Sequence, residues 1–177
     1  MANKVTERGL HVIKQWERFR AIDYHDGWTP GGRPIISKGF GHSNLLETVP
    51  FEEGGSWTIE YAHDVLVNHD LPYFYGLLMP HLKIEVPDEV YSIFGSLAMN
   101  KGVGKLGNER GLINSEAWQI LHDGQEYHLE RFCEVILKYA IIAPNKITKE
   151  PEEKRGLRWR RIAESAIFMQ DRSKDYL

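Results

Sequence analysis

The chain has 177 residues, 42% of them apolar and 27% charged, enough to bury a core in one soluble domain. Its net charge of −3 gives no whole-chain attraction for nucleic acid. The lone Cys133 excludes an intrachain disulfide. No apolar run approaches the ~20 residues that span a bilayer, and Met1–Arg8 has no apolar stretch of the signal-peptide kind. The chain is therefore expected to fold in the cytoplasm.

Thr6 suits the cap of a first helix, with Glu7 near its positive end and Leu10, Ile13 and Trp16 at helical spacing. Glu17 closes that pattern. Gly27, Pro30, Gly31, Gly32, Pro34, Gly39 and Gly41 then exclude a long helix and suit turns between short strands. Ile35 to His42 alternates as a strand with small residues on one face. This is the only expected β region, and everything after it reads helical. Thr58 caps a helix through Ala62, Val65, Leu66 and Leu71, which runs on or kinks through Tyr73–Leu78 before Pro80. Pro87-Asp88-Glu89 opens an apolar helix through Val90, Ile93, Phe94, Leu97 and Ala98, broken by Gly102, Gly104 and Gly107. Ser115 caps a short helix with Trp118 and Leu121, ending at Asp123-Gly124. Leu129, Phe132, Cys133, Ile136 and Leu137 form another stripe that Pro144 ends, with Cys133 read as a small core residue. A last helix carries Leu157, Ile162, Ala163, Ala166 and Ile167. Between Lys146 and Arg161, seven Lys or Arg face three Glu, a local charge of +4 that leaves −7 for the rest. That run reads as a basic face, or more blandly as a solvated helix face.

Glu17, Asp26 and Ser37 are the residues whose order suggests chemistry. Glycoside cleavage needs one carboxyl to protonate the leaving oxygen and a second to handle water or the developing cation. With 25 acidic residues in the chain the pair alone means little. Asp23 is a rival for the second carboxylate. His63-Asp64 and His69-Asp70 do not make a zinc site, since histidines six apart share a helical face poorly and no cysteine supports them. Gly102 and Gly104 lack the strand–loop–helix setting of a phosphate cradle.

Four segments in order carry a resemblance. Eight residues separate Glu17 from Asp26, and Ser37-Lys38-Gly39-Phe40-Gly41-His42 follows. Asn100-Lys101-Gly102-Val103-Gly104 ends the helix that includes Phe94, and Gly156-Leu157-Arg158-Trp159-Arg160-Arg161-Ile162-Ala163-Glu164 begins the last one. Together they resemble the phage-type lysozymes, the endolysin or muramidase family called glycoside hydrolase family 24, from about residue 5 to 170. Two features depart from that family's pattern. Ten residues instead of five separate Asp26 from the hydroxyl, because Thr29-Pro30-Gly31-Gly32-Arg33-Pro34 enlarges the turn. The hydroxyl is serine, which lacks the methyl that stiffens threonine. Thr29 lies in that turn and is not the missing threonine.

The resemblance implies an α+β, lysozyme-like fold in one domain, residues 1–177. A small N-terminal β lobe (about 20–50) would pack against a larger helical lobe (about 57–177, plus the first helix). It implies an N-acetylmuramidase that hydrolyses the β-1,4 MurNAc–GlcNAc bond of bacterial peptidoglycan without a cofactor or metal. Glu17 would be the general acid, with Trp16 and Phe19 as apolar neighbours. Asp26 would stabilise the cation or activate water, and Ser37 would hold that water. His42, Asn100, Gly102, Arg160 and Arg161 would serve substrate binding, with a structural ion pair or hydrogen bond the favoured role for His42, and helix surface or salt-bridge partners the plainer reading of Arg160 and Arg161. The expected partner is the peptidoglycan glycan strand, met by a monomer that neither binds nucleic acid nor inserts stably in a membrane. It would accumulate in the host cytoplasm and reach the wall through a holin at lysis. The rivals are a lytic transglycosylase on the same bond and a non-catalytic wall-binding or virion module. Nucleic-acid binding through 146–161 lacks an aromatic-interleaved groove.

Overall fold

In the computed structural model, residues 4–105, 111–122, 128–138, 141–142, 152–153 and 155–172 are described. Gly107, Asp123-Gly124, Pro144 and Lys146, named above, lie outside them, as do Lys149 and Lys154 of the basic run. The chain divides into two compact units, Ile13–Met79 and the combination of Met1–Val12 with Pro80–Leu177.

The first helix, α1 (Glu7–Glu17), has its first residues in one unit and its last in the other. Thr6 caps it as expected, its Oγ1 accepting from the Gly9 amide at 3.1 Å.

The unit Ile13–Met79 is built on an antiparallel sheet of β1 (Arg20–Trp28), β2 (Pro34–Gly39) and β3 (His42–Ser43) in that order. The enlarged turn between β1 and β2 is tied by Thr29, whose amide donates to Arg33 O at 2.8 Å while its Oγ1 accepts from the Arg33 amide at 3.0 Å. Thr29 thus has a turn-making job of its own. Beyond the sheet, Thr58 caps α2 (Ile59–Val65) by accepting from the Tyr61 amide. A π-helical turn at Leu66–Asp70 joins α2 to α3 (Leu71–Leu78), so the kink falls before the aromatic stretch. Ile13, Phe40, Ala62, Val65, Leu66, Leu71, Tyr75 and Leu78 are buried.

Two buried charge clusters sit in this unit. Lys38 is fully buried, with Nζ 2.8 Å from Asp23 Oδ1 and donating to the carbonyls of Glu52 and Gly55. The rings of Phe51 and Trp57 lie 4.7 and 5.6 Å from it. His42 places Nδ1 3.0 and 3.1 Å from the two Asp70 oxygens, and Thr48 donates to the same carboxylate.

In the other unit α4 (Asp88–Lys101) is the central helix, with Val90 and Ser92 through Ala98 buried. Phe94 meets Trp118 of α5 (Glu116–His122) at 5.5 Å and Phe132 of α6 (His128–Lys138) at 6.1 Å. Ser115 caps α5 through the Trp118 amide, and Cys133 is buried as a core residue. Near the chain end, β4 (Ile141–Ile142) pairs with β5 (Glu152–Glu153), a two-residue ladder that the all-helical expectation missed. Two pairs of residues carry no alternation long enough to read. The last helix, α7 (Arg155–Arg172), follows. Among the described residues no helix is long and apolar enough to cross a membrane.

Removing one partner of a buried hydrogen bond leaves the other unsatisfied, which typically costs about 1–3 kcal/mol. Asp70→Ala strips the partner from His42 and Thr48 and should lower unfolding stability by about 1–3 kcal/mol in urea titrations. A loss below about 1 kcal/mol would show that the pair does not hold this unit together.

Candidate active site

Glu17 is the last residue of α1, and Arg18 takes φ +51°, the left-handed turn that commonly ends helices on glycine. The Arg18 amide still donates to Lys14 O at 3.1 Å, so the helix is intact up to the acid. The Gly-x-Gly segment then explains itself sterically. A Cβ on Gly41 would stand 3.0 Å from Glu17 Oε2, and φ there is +83°. A Cβ on Gly39 would stand 2.8 Å from the Trp57 ring, with φ +65°. One glycine admits the carboxylate and the other admits the indole.

Asp26 occupies a β-bulge. In the β1–β2 register Tyr24 opposes Ser37, His25 opposes Ile36, and Gly27 opposes Ile35, which leaves Asp26 as the extra residue. A bulge re-aims the side chain it carries. Here it turns an exposed Asp26 so that Oδ2 accepts from Ser37 Oγ at 3.2 Å. The structure thus joins two of the three expected residues by a hydrogen bond.

Asp23 is otherwise engaged. It pairs with Lys38, and its Oδ2 accepts from the Gly54 amide at 2.7 Å. The Lys38 ammonium and that amide hold its carboxyl below the usual carboxylate range. Asp23 therefore ties the 50–57 loop to the sheet, while Asp26 is the aspartate beside the hydroxyl.

Two expectations change on burial. Ser37 is 0% exposed with its proton committed to Asp26, so it has no surface with which to hold an attacking water. Its influence passes through Asp26. His42 is 1% exposed and paired with Asp70, and Phe51 and Trp57 ring it at 5.9 and 5.3 Å. It has the structural contact expected of it, a hydrogen bond with Asp70, and no face to offer a sugar.

Tyr24 is the residue that sequence reasoning missed. It stands opposite Ser37 in the ladder, with the Arg20 guanidinium over its ring at 4.7 Å. Burial raises its phenol above the ordinary value, and the negative charges of Asp26 and Glu17 raise it further. A hydrogen bond with Ser37 and the Arg20 charge work the other way. One side chain thus feels all three of the singled-out residues. Its position two residues before Asp26 was the available signal.

Asn100, Gly102, Arg160 and Arg161 belong to the other unit and are organised among themselves. Arg160 Nε meets Glu164 Oε1 at 3.2 Å, and its Nη2 donates to Ser96 O and Oγ at 3.0 Å each. Arg161 pairs with the other Glu164 oxygen and donates to Asn100 Oδ1. Ser96 Oγ completes the cluster by donating to Glu164 at 2.6 Å. At 5% and 0% exposure the two arginines are internal braces, correcting the expectation of a substrate-binding pair and of a basic face that includes them. Asn100 is exposed but holds Arg161. Gly102 ends α4, and its carbonyl accepts from the Leu112 amide at 2.9 Å. Among the described residues no three His, Cys, Asp or Glu converge as a metal site.

No protein-family model and no curated protein sequence matches the chain. Solved structures do. The muramidase domain of SpmX from Asticaccaulis excentricus aligns with a TM-score of 0.70 at 17% identity, covering 95% of this chain and 99% of that one. The endolysin from Escherichia coli O157:H7 phage FAHEc1 aligns at 0.68 and 19% identity, covering 97% and 96%. P22 lysozyme aligns at 0.65 and 19% identity, covering 96% and 99%. The chain therefore has the α+β fold of the phage-type lysozymes over nearly its whole length.

The Asp23 clamp carries a pH signature. Its folded pKa lies below its unfolded value, so the stability it contributes is fully present above roughly pH 4 and is lost as pH falls through the folded value. Urea unfolding between roughly pH 6 and 2 should show a shallower acid loss for Asp23→Asn than for wild type. Parallel curves would rule the clamp out.

Proposed function

We propose that the protein is an N-acetylmuramidase that hydrolyses the β-1,4 bond between N-acetylmuramic acid and N-acetylglucosamine in bacterial peptidoglycan. One observation carries the proposal: on a lysozyme fold, an exposed aspartate is held by a buried serine, in the same unit as a helix-terminal glutamate laid over glycine.

Glu17 protonates the glycosidic oxygen as the bond to the anomeric carbon breaks. Asp26, ionised and open to solvent, stabilises the positive charge developing on the sugar and directs the water that attacks it. Ser37 fixes the orientation of Asp26 from beneath, taking the positioning part of the role first expected of it. None of these steps needs a cofactor. Peptidoglycan strands are the partner, and lysis of a host wall is the biological setting, reached from the host cytoplasm through a holin. That setting rests on likeness to the phage endolysin and lysozyme structures.

On purified peptidoglycan, Glu17→Gln should slow release of reducing ends by about 10²–10⁴-fold. Asp26→Asn should fall by a similar factor, Ser37→Ala by less, and Asp23→Asn should cleave near the wild-type rate at neutral pH. Clearance by Glu17→Gln at the wild-type rate would sink the proposal. Products ending in 1,6-anhydro sugars would reassign the enzyme to the lytic transglycosylases.

A further inference from the structure

A cavity of about 460 Å³ opens between the enlarged β1–β2 turn and the 44–53 segment, wholly within the unit Ile13–Met79. Leu46, the buried Val49 and Phe51 give it apolar walls, and Arg33, Glu47 and Glu53 bring three solvent-exposed charges to it. Its other polar lining is already committed. Asn44 accepts from the Ile36 amide at 3.2 Å, and Thr48 donates to Asp70. The three charges are not committed: among the described residues none of them forms an ion pair. The walls are fixed from behind, since Lys38 holds the Glu52 carbonyl and Thr29 ties the Arg33 backbone into the turn. Pre-formed clefts of roughly 300–1,000 Å³ with a few polar groups on apolar walls are where ligands bind.

We propose that this cavity binds the stem peptide of the wall polymer, with Glu47 and Glu53 receiving a side-chain amine and Arg33 receiving a carboxylate. The choice of ligand rests on the muramidase reading above. Two properties of the cavity select it. The first is charge: two carboxylates and one guanidinium complement a ligand that carries both an amine and carboxylates. Neutral sugars offer neither, whereas the stem peptide, carried on the lactyl group of N-acetylmuramic acid, offers both. The second is reach. Arg33 precedes Ser37 by four residues, and at ~3.3 Å per strand residue its backbone stands ~13 Å from that of the serine holding Asp26. A peptide of three or four residues spans ~10–14 Å when extended. A stem branching from a muramic acid at Asp26 is therefore long enough to enter the cavity. Arg33 lies in the Thr29–Pro34 enlargement of the turn, so the departure from the usual spacing supplies this end of the site.

The test titrates the isotope-labelled full chain, followed by NMR, with the uncrosslinked stem tetrapeptide L-Ala-γ-D-Glu-L-Lys-D-Ala up to about 10 mM. Amides of Arg33 and of the 46–53 segment should shift saturably, and acetylating the peptide's side-chain amine should abolish the shifts. The double variant Glu47→Gln/Glu53→Gln should bind the peptide about fivefold more weakly. On intact peptidoglycan the same variant should raise KM by about fivefold with kcat unchanged, the pattern of lost uniform binding. That sign is opposite to a general charge effect, because removing two negative charges favours approach to an anionic wall. No shift at about 10 mM, shifts confined to other residues, equal binding of the acetylated peptide, or an unchanged KM in a cleaving enzyme would overturn the site. Saturable, amine-dependent shifts in a protein that leaves peptidoglycan uncut would instead sustain the site and fail the muramidase reading.

Discussion

The Glu17 carboxylate rests against a backbone position where no side chain fits, and the run from Ser37 to His42 is organised around that constraint. Each residue in it is committed to a different neighbour. Ser37 holds Asp26, Lys38 holds Asp23 and the 50–57 loop, and Gly39 makes room for Trp57. Phe40 meets Phe19 in a tilted ring pair at 5.7 Å, Gly41 makes room for Glu17, and His42 pairs with Asp70. A shift of one residue would exchange every one of these roles, because successive strand side chains point to opposite faces. Acid, aspartate and loop are therefore set by one register.

Much of that order is maintained by buried charge. Lys38, the His42–Asp70 pair and the Arg160–Arg161–Glu164 cluster are each removed from water. Such groups are poor evidence of net stability, since desolvation offsets most of their attraction. What they supply is geometry. Lys38 can satisfy its ammonium only if Asp23 and the carbonyls of Glu52 and Gly55 converge on it. Glu164 can stay buried only with both arginines and Ser96 in place. In both cases a misplaced partner leaves a costly orphan, which penalises alternative packings.

The two aspartates of β1 show how far the linear order reaches. Asp23 and Asp26 are three residues apart and chemically identical, and spacing from Glu17 alone preferred the second. The structure gives the physical basis: irregular register before Tyr24 leaves Asp23 beside Lys38, and a bulge after His25 turns Asp26 toward Ser37. Bulges leave only a weak mark in sequence. Tyr24 was overlooked for a related reason. Its importance lies in facing Ser37 across a strand pair, and that partnership depends on a turn whose length departs from the usual pattern.

Caps, stripes and breakers were legible because they are local. Thr6, Thr58 and Ser115 cap helices through amides within three residues of themselves, so a short window contains the whole interaction. The order of elements, the fold class and the Ser-x-Gly-x-Gly-His segment belong to the same category. Burial of polar groups does not. Arg160 and Arg161 sit in a run that reads as a basic face, yet Ser96 and Asn100, 64 and 61 residues away in sequence, take them inside. Ser37 reads as a hydroxyl for water until the sheet closes over it. Sequence alone thus determined where the main helices and the larger sheet form and which side chains are available for chemistry, because those depend on near neighbours. Tertiary structure alone decided which of those side chains face solvent and which only position another, because the register and the distant partners that remove them from water exist only in the folded chain.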